Sequence, residues 1–233
     1  MPASLHLLCA GAAQDLVKAL EARLLAEAGA TLDARFGAVG AMKEALRAGA
    51  ACDLMVLTDK MIGELAAAGL LRGDTRAALG RVRTGIALRS GAAWPELGTP
   101  EALRAALLAA DAVYFPDALR STAGIHFAAV LRQLGIHDQL EARLRTFPNG
   151  ATAMRELALH GTPRSIGCTQ VTEIKYTPGV ELVALLPARF ELATTYTAAL
   201  SATAADPARA ARFIAMLTGS DTRALRDAAG FEN

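Results

Sequence analysis

Chemistry in this chain is carried by backbone more than by side chains. An apolar run from Leu5 to Leu8 ends in Cys9-Ala10-Gly11-Ala12-Ala13 and passes straight into an amphipathic stretch. The arrangement recurs. Thr31 to Phe36 leads through Gly37-Ala38-Val39-Gly40-Ala41, Tyr114-Phe115-Pro116 through Ser121-Thr122-Ala123-Gly124, and Phe147-Pro148 through Asn149-Gly150-Ala151-Thr152. The first N–H groups of a helix have no intrahelical acceptor and lie at the positive end of its dipole, so a start built from small residues lets an anion approach. These starts point to one convergent site for a small anion. The donors would be backbone at Gly11, Ala12, Ala38, Val39, Gly40, Asn149, Gly150 and Ala151, with the hydroxyls of Ser121 and Thr122 beside them.

Other chemistries lack their signatures. There is no glycine-rich phosphate loop with its lysine, and Ser121 and Ser201 lack the Gly-x-Ser-x-Gly turn of a serine nucleophile. Asp53 and Glu173 with Cys52 or His160 do not have the spacing of a zinc site, so no metal and no cofactor is expected. Trp94, in a Pro/Gly-rich loop, reads as surface packing, and His6, His137 and His160 as structural or exposed.

The elements that must position these starts follow from composition and pattern. With 233 residues, 53% of them hydrophobic and 20% charged, the chain can bury one large core or two modest ones. Its formal charge of +1, with both signs interleaved, argues against a nucleic-acid groove or a polybasic membrane surface. No segment reaches the roughly 18 uninterrupted apolar residues of a membrane span, so no membrane insertion is expected. Met-Pro-Ala-Ser has no basic leader region, and the three cysteines, Cys9, Cys52 and Cys168, are odd in number and lie in or beside apolar runs. As given, the chain is expected to be cytoplasmic, or periplasmic if a leader has been removed.

From Leu5 to Leu57 strand and helix alternate, the pattern of parallel α/β folding. The first helix, about Ala13 to Ala28, sets Leu16, Val17, Leu20 and Leu24 on one face and stops at Gly29. Val82–Leu88, Ala112–Phe115, Ser165–Thr169, Glu181–Leu186 and Thr194–Ser201 read as further strands. Thr99-Pro100-Glu101 and Asp206-Pro207 read as helix starts. No flexible linker separates the α/β blocks, so the chain is expected to cross between two lobes on strands, near Val82–Leu88 and Thr194–Ser201. Residues 1–84 and 193–233 would form one lobe and 85–192 a second, inserted lobe. Ligands of such sheets bind beyond the carboxyl ends of the strands.

Taken in order, the turn at Ala10 to Ala13, Phe36-Gly37-Ala38-Val39-Gly40-Ala41-Met42, Ala48-Gly49-Ala50-Ala51-Cys52-Asp53-Leu54, Asn149-Gly150-Ala151-Thr152 and Ile166-Gly167-Cys168-Thr169 resemble the molybdate-binding proteins of ABC transporters. These belong to the type 2 periplasmic-binding-protein superfamily. The resemblance implies a two-lobed α/β fold. Each lobe has a central mixed, mostly parallel sheet flanked by helices, with a ligand cleft between the lobes and closure by hinge motion. It also implies an ABC permease as partner if the chain is exported. Such relatives usually carry a serine where this chain has Ala12, another near Ala38 to Gly40, and a ligand-contacting tyrosine where it has Cys168. Each charge-assisted hydroxyl bond is worth roughly 1.5–3 kcal/mol, so their loss lowers oxyanion affinity by orders of magnitude unless other donors replace them.

Arg120, Ser121, Thr122 and His126 are the candidate replacements, and a guanidinium fork tilts the ligand toward an organic carboxylate. A solvated loop Arg120 and a hydrogen-bonded structural His126 are the plain alternatives. The resemblance extends to aconitate isomerases, which move a double bond by proton transfer. On that reading His126 and Cys168 would be catalytic, Tyr196 a further titratable candidate and Thr169 a hydroxyl donor. Binding of a small anion is the leading expectation, and a cytoplasmic isomerase of di- or tricarboxylates the alternative.

Overall fold

A computed structural model of the chain describes residues 3–232. The chain divides into two compact units, Met1–Val82 with Thr194–Asn233, and Arg83–Ala193.

In the first unit, β1 (Ala3–Ala10), β2 (Ala30–Gly37) and β3 (Leu54–Thr58) run parallel, with β1 between the other two. Parallel neighbours need crossovers, supplied by α1 (Gln14–Ala28) and α2 (Val39–Arg47). Leu16, Val17, Leu20 and Leu24 of α1 are buried, as their spacing requires, and Gly29 ends the helix in the left-handed conformation at φ 62°. The expected start of this helix at Ala13 is refined: Gly11–Ala13 form a 3-10 turn before α1. β3 is buried along its whole length and continues directly into α3 (Asp59–Ala67). The second unit is reached along β4 (Ala77–Arg89), a strand longer than the apolar run Val82–Leu88 indicates.

In the second unit α4 (Pro100–Ala109) starts as Thr99-Pro100-Glu101 predicts, with the Thr99 hydroxyl accepting from the Ala102 N–H at 3.1 Å. β5 (Val113–Pro116), α5 (Thr122–Gln133), the short α6 (His137–Leu140), β6 (Leu144–Phe147), α7 (Gly150–His160), β7 (Ile166–Gln170), α8 (Val171–Lys175) and β8 (Val180–Leu185) follow. β5 pairs in parallel with β6 and β7, while β4 pairs antiparallel with β7 and β8. Successive residues face opposite sides of this sheet. Phe115, Ile86 and Cys168 join Phe127 and Leu131 in one core, whereas Tyr114 and Ala87 join Met154, Leu157 and Ile174 in the other.

The chain returns to the first unit in β9 (Ala193–Leu200), antiparallel to β3, and ends in α9 (Pro207–Thr218) and α10 (Arg223–Ala229). Asp206 caps α9 by accepting from the Arg209 N–H at 3.0 Å. No helix among the described residues is long and apolar enough to cross a membrane.

Candidate functional site

Each unit presents helix starts at the carboxyl edge of its parallel strands, and the way each is terminated decides what it can bind. In the first unit β1 ends at Ala10, β2 at Gly37 and β3 at Thr58, each running into a helical turn. Ala10 and Ala38, the residues before the first two turns, have no side-chain acceptor to offer, and neither start has a side-chain cap. Gly11, Ala12, Ala38 and Val39 are buried, and Gly40 is half-buried. The third start is different. Thr58 accepts from the Met61 N–H at 3.4 Å, and Asp59 in the first turn of α3 is itself held by the Arg76 guanidinium at 2.7 Å and the Thr197 hydroxyl at 2.9 Å. Those two donors hold the Asp59 carboxyl below its ordinary range.

In the second unit β5 leads to α5 through a turn shaped by Asp117. Its carboxylate accepts from the N–H groups of Leu119 at 2.7 Å and Arg120 at 3.0 Å, and its own N–H donates to the Phe147 carbonyl at 2.7 Å. Gly124 is required there, because a Cβ would run into the carbonyls of Pro116 and Asp117. Ser121 is buried but makes no capping bond, so the first turn of α5 has no side-chain cap. Thr122 is half-buried and Arg120 exposed.

The start of α7 is closed from within the chain. Asn149 accepts from the Thr152 N–H at 2.8 Å, and the N–H groups of Gly150 and Ala151 donate to the carboxylate of Glu173. Glu173 is 5% exposed. It lies in the first turn of α8 and also accepts from the Gln170 N–H, the reach-back of a capping box, and from the Thr169 hydroxyl at 2.5 Å. Burial pushes its pKa up, and these four donors pull it back down in part. A Cβ on Gly150 would collide with both the Glu173 carboxylate and the Thr169 hydroxyl.

The side-chain candidates therefore separate. Gly11, Ala12, Ala38, Val39, Gly40, Ser121 and Thr122 lie at starts without side-chain caps. Asn149, Gly150, Ala151 and Thr169 are engaged in bonds inside the second unit, which corrects their reading as open donors: the anion at that helix start is the chain's own. Cys168 corrects the other way. Strand alternation turns it into hydrocarbon beside Phe115, Phe127 and Ile86, where burial drives its thiol well above the ordinary value, so it supplies neither a thiolate nor a side-chain contact. His126 Nε2 is bonded to the Phe190 carbonyl at 2.7 Å, the structural role set against the catalytic one. Tyr196 is buried edge-on against Phe231. Asp53 accepts from the main chain at His6 and Ala205.

Sequence reasoning missed the role of Glu173 and the closed start of α3. Thr58-Asp59 before Met61-Ile62 was a readable cap signal. Glu173 gave none, since its partners Gly150 and Ala151 lie more than a helix away in sequence.

A family model for bacterial extracellular solute-binding proteins matches residues 5–232. The chain belongs to that family. The solute-binding protein also shares its fold with the periplasmic molybdate-binding protein of Azotobacter vinelandii, at a TM-score of 0.79 and 18% identity over 98% of this chain and 99% of that one. The sulfate-binding protein SubI of Mycobacterium tuberculosis aligns with a TM-score of 0.72 and 16% identity over 98% of this chain and 86% of that one. Both likenesses are of fold. An aconitate isomerase from a Pseudomonas species is 25% identical over 177 residues, 75% of this chain and 65% of the relative's length.

Proposed function

We propose that this solute-binding protein takes a small organic anion, a di- or tricarboxylate, and that the candidate donors are, within the first unit, the helix starts of Gly11–Ala12 and Ala38–Gly40 and, within the second, the start of Ser121–Thr122 with the Arg120 guanidinium. The observation that carries the reading is the pairing of small residues with missing side-chain caps at these starts, which leaves polarised amides without a side-chain acceptor. Ala12 and Ala38 offer no hydroxyl, so a compact tetrahedral oxyanion gains little at those two starts, and in the second unit a guanidinium such as Arg120 matches a carboxylate. In the family setting such a protein would hand its ligand to an ABC permease outside the membrane.

The test is a thermal-shift and calorimetric panel of citrate, cis-aconitate, trans-aconitate, molybdate and sulfate. A carboxylate is expected to raise the melting temperature saturably, because a ligand of the native state stabilises it by mass action. Submicromolar molybdate with no carboxylate response would overturn the reading.

The 25% identity to an aconitate isomerase favours a second reading, interconversion of cis- and trans-aconitate. Proton magnetic resonance of either isomer incubated with the protein separates the two. An unchanged ligand leaves binding alone. Conversion would require an acid and base other than Cys168, whose thiol is sealed in the core.

A further inference from the structure

The second unit holds two long helices that begin at neighbouring strand ends, α5 after β5 and α7 after β6, and Pro116 and Phe147 are paired in the β5–β6 ladder. Both starts are made of small residues. Only α7 has its amides filled by a carboxylate, and that carboxylate is buried, reached by three N–H groups and one hydroxyl, and built so tightly that position 150 has room for no side chain. The N–H groups of Gly150 and Ala151, in the first turn of α7, have no intrahelical acceptor, and Glu173 supplies one. Asn149 caps Thr152, and the remaining first-turn amides are met by a carboxylate that belongs to a different helix, α8. The cradle has the donor set of an anion seat, and its occupant comes from the chain.

We propose that Glu173 is a specificity-determining residue: its carboxylate shuts external anions out of the α7 start and confines anion recognition in this unit to the start of α5. This deepens the anion-binding reading above and rests on it for its meaning to the ligand, which then meets one anion-accepting start in this unit and not two. The excluded class is a small carboxylate, the group whose shape Glu173 itself presents to Gly150, Ala151, Gln170 and Thr169.

The experiment removes the occupant and offers a substitute. Wild type, Glu173→Ala and Glu173→Gln, each as the full chain, are followed by thermal unfolding and calorimetry with sodium formate, sodium acetate and acetamide, the last as a neutral isostere. Glu173→Ala is expected to melt below wild type and to recover part of the loss with formate or acetate, saturably, and none with acetamide. Formate is expected to bind this variant at least about tenfold more tightly than wild type, whose seat is filled. Glu173→Gln fills the space with a group that brings N–H donors against N–H donors, so it is destabilised and formate does not restore it. Should Glu173→Ala fail to fold, refolding from denaturant in formate against acetamide gives the same answer, with folded protein recovered only in formate. Equal responses of wild type and Glu173→Ala to formate, or no difference between formate and acetamide, would overturn the proposal. Those outcomes are independent of the organic-acid panel, which tests the solute reading on wild type alone.

Discussion

The two units solve the same problem at their strand ends in opposite proportions. In the first, two of the three helix starts that follow β1, β2 and β3 are left to alanine and glycine, and the third is capped by Thr58, next to the ion-paired Asp59. In the second, the starts of α7 and α8 share one buried carboxylate, while α5, which follows the parallel strand β5, begins without a side-chain cap. An amide at a helix start is chemically the same in both places. Whether it is available to a solute depends on whether a group of the chain has reached it first, so on the proposed reading recognition would be shaped by internal competition as much as by the donors themselves.

The comparison can be broken most forcefully at Gly150. Gly150→Ala drives a methyl into Glu173 and Thr169, and because both are held by buried hydrogen bonds the cost is expected at about 3 kcal/mol or more in chemical unfolding. The converse change makes the first unit resemble the second. Ala38→Asp supplies α2 with the cap it lacks, which is expected to stabilise the protein by about 0.5–1 kcal/mol while cutting organic-anion affinity at least tenfold, about 1.4 kcal/mol, in calorimetry. A smaller effect belongs to Arg120→Ala, about tenfold weaker carboxylate binding with little change in melting temperature, because the side chain is exposed. An unchanged affinity would make Arg120 a bystander.

The smallest effect sharpens the contrast through pH. Asp59 has a folded pKa below its ordinary 3.8, so its contribution is present above that value and lost as pH falls through the lower folded one. Asp59→Asn should therefore flatten the acid limb of stability below about pH 4, by a modest amount since the pair is partly exposed. Glu173 runs the other way. Its folded pKa is raised above 4.5, so stability falls as pH rises from 4.5 through the folded value, and Glu173→Gln removes that slope. Urea titrations at a series of pH values check both.

Much of this architecture could be read from residues. The small-residue turns at Gly11 and Val39-Gly40, the cap at Thr99, the stop at Gly29 and the start at Asp206 are local signals, and local chemistry forms them in the structure. The site was only half legible, for two reasons. β7 is buried on both faces, so Ile166 to Gln170 shows no polar alternation to tell that Cys168 points into one core while Thr169 points to Glu173. Closure of α7 is a tertiary event, since a glutamate in one helix turn satisfies the amides of another, and no spacing rule connects residue 173 to residue 150. Open starts were readable as small residues. Their occupation was not.

All three thiols of the chain, Cys9, Cys52 and Cys168, are buried and unpaired. A maleimide dye therefore meets little native background in the folded protein. One new cysteine beside Ser121, carrying an environment-sensitive fluorophore, would report optically on any anion that binds at the proposed α5 start.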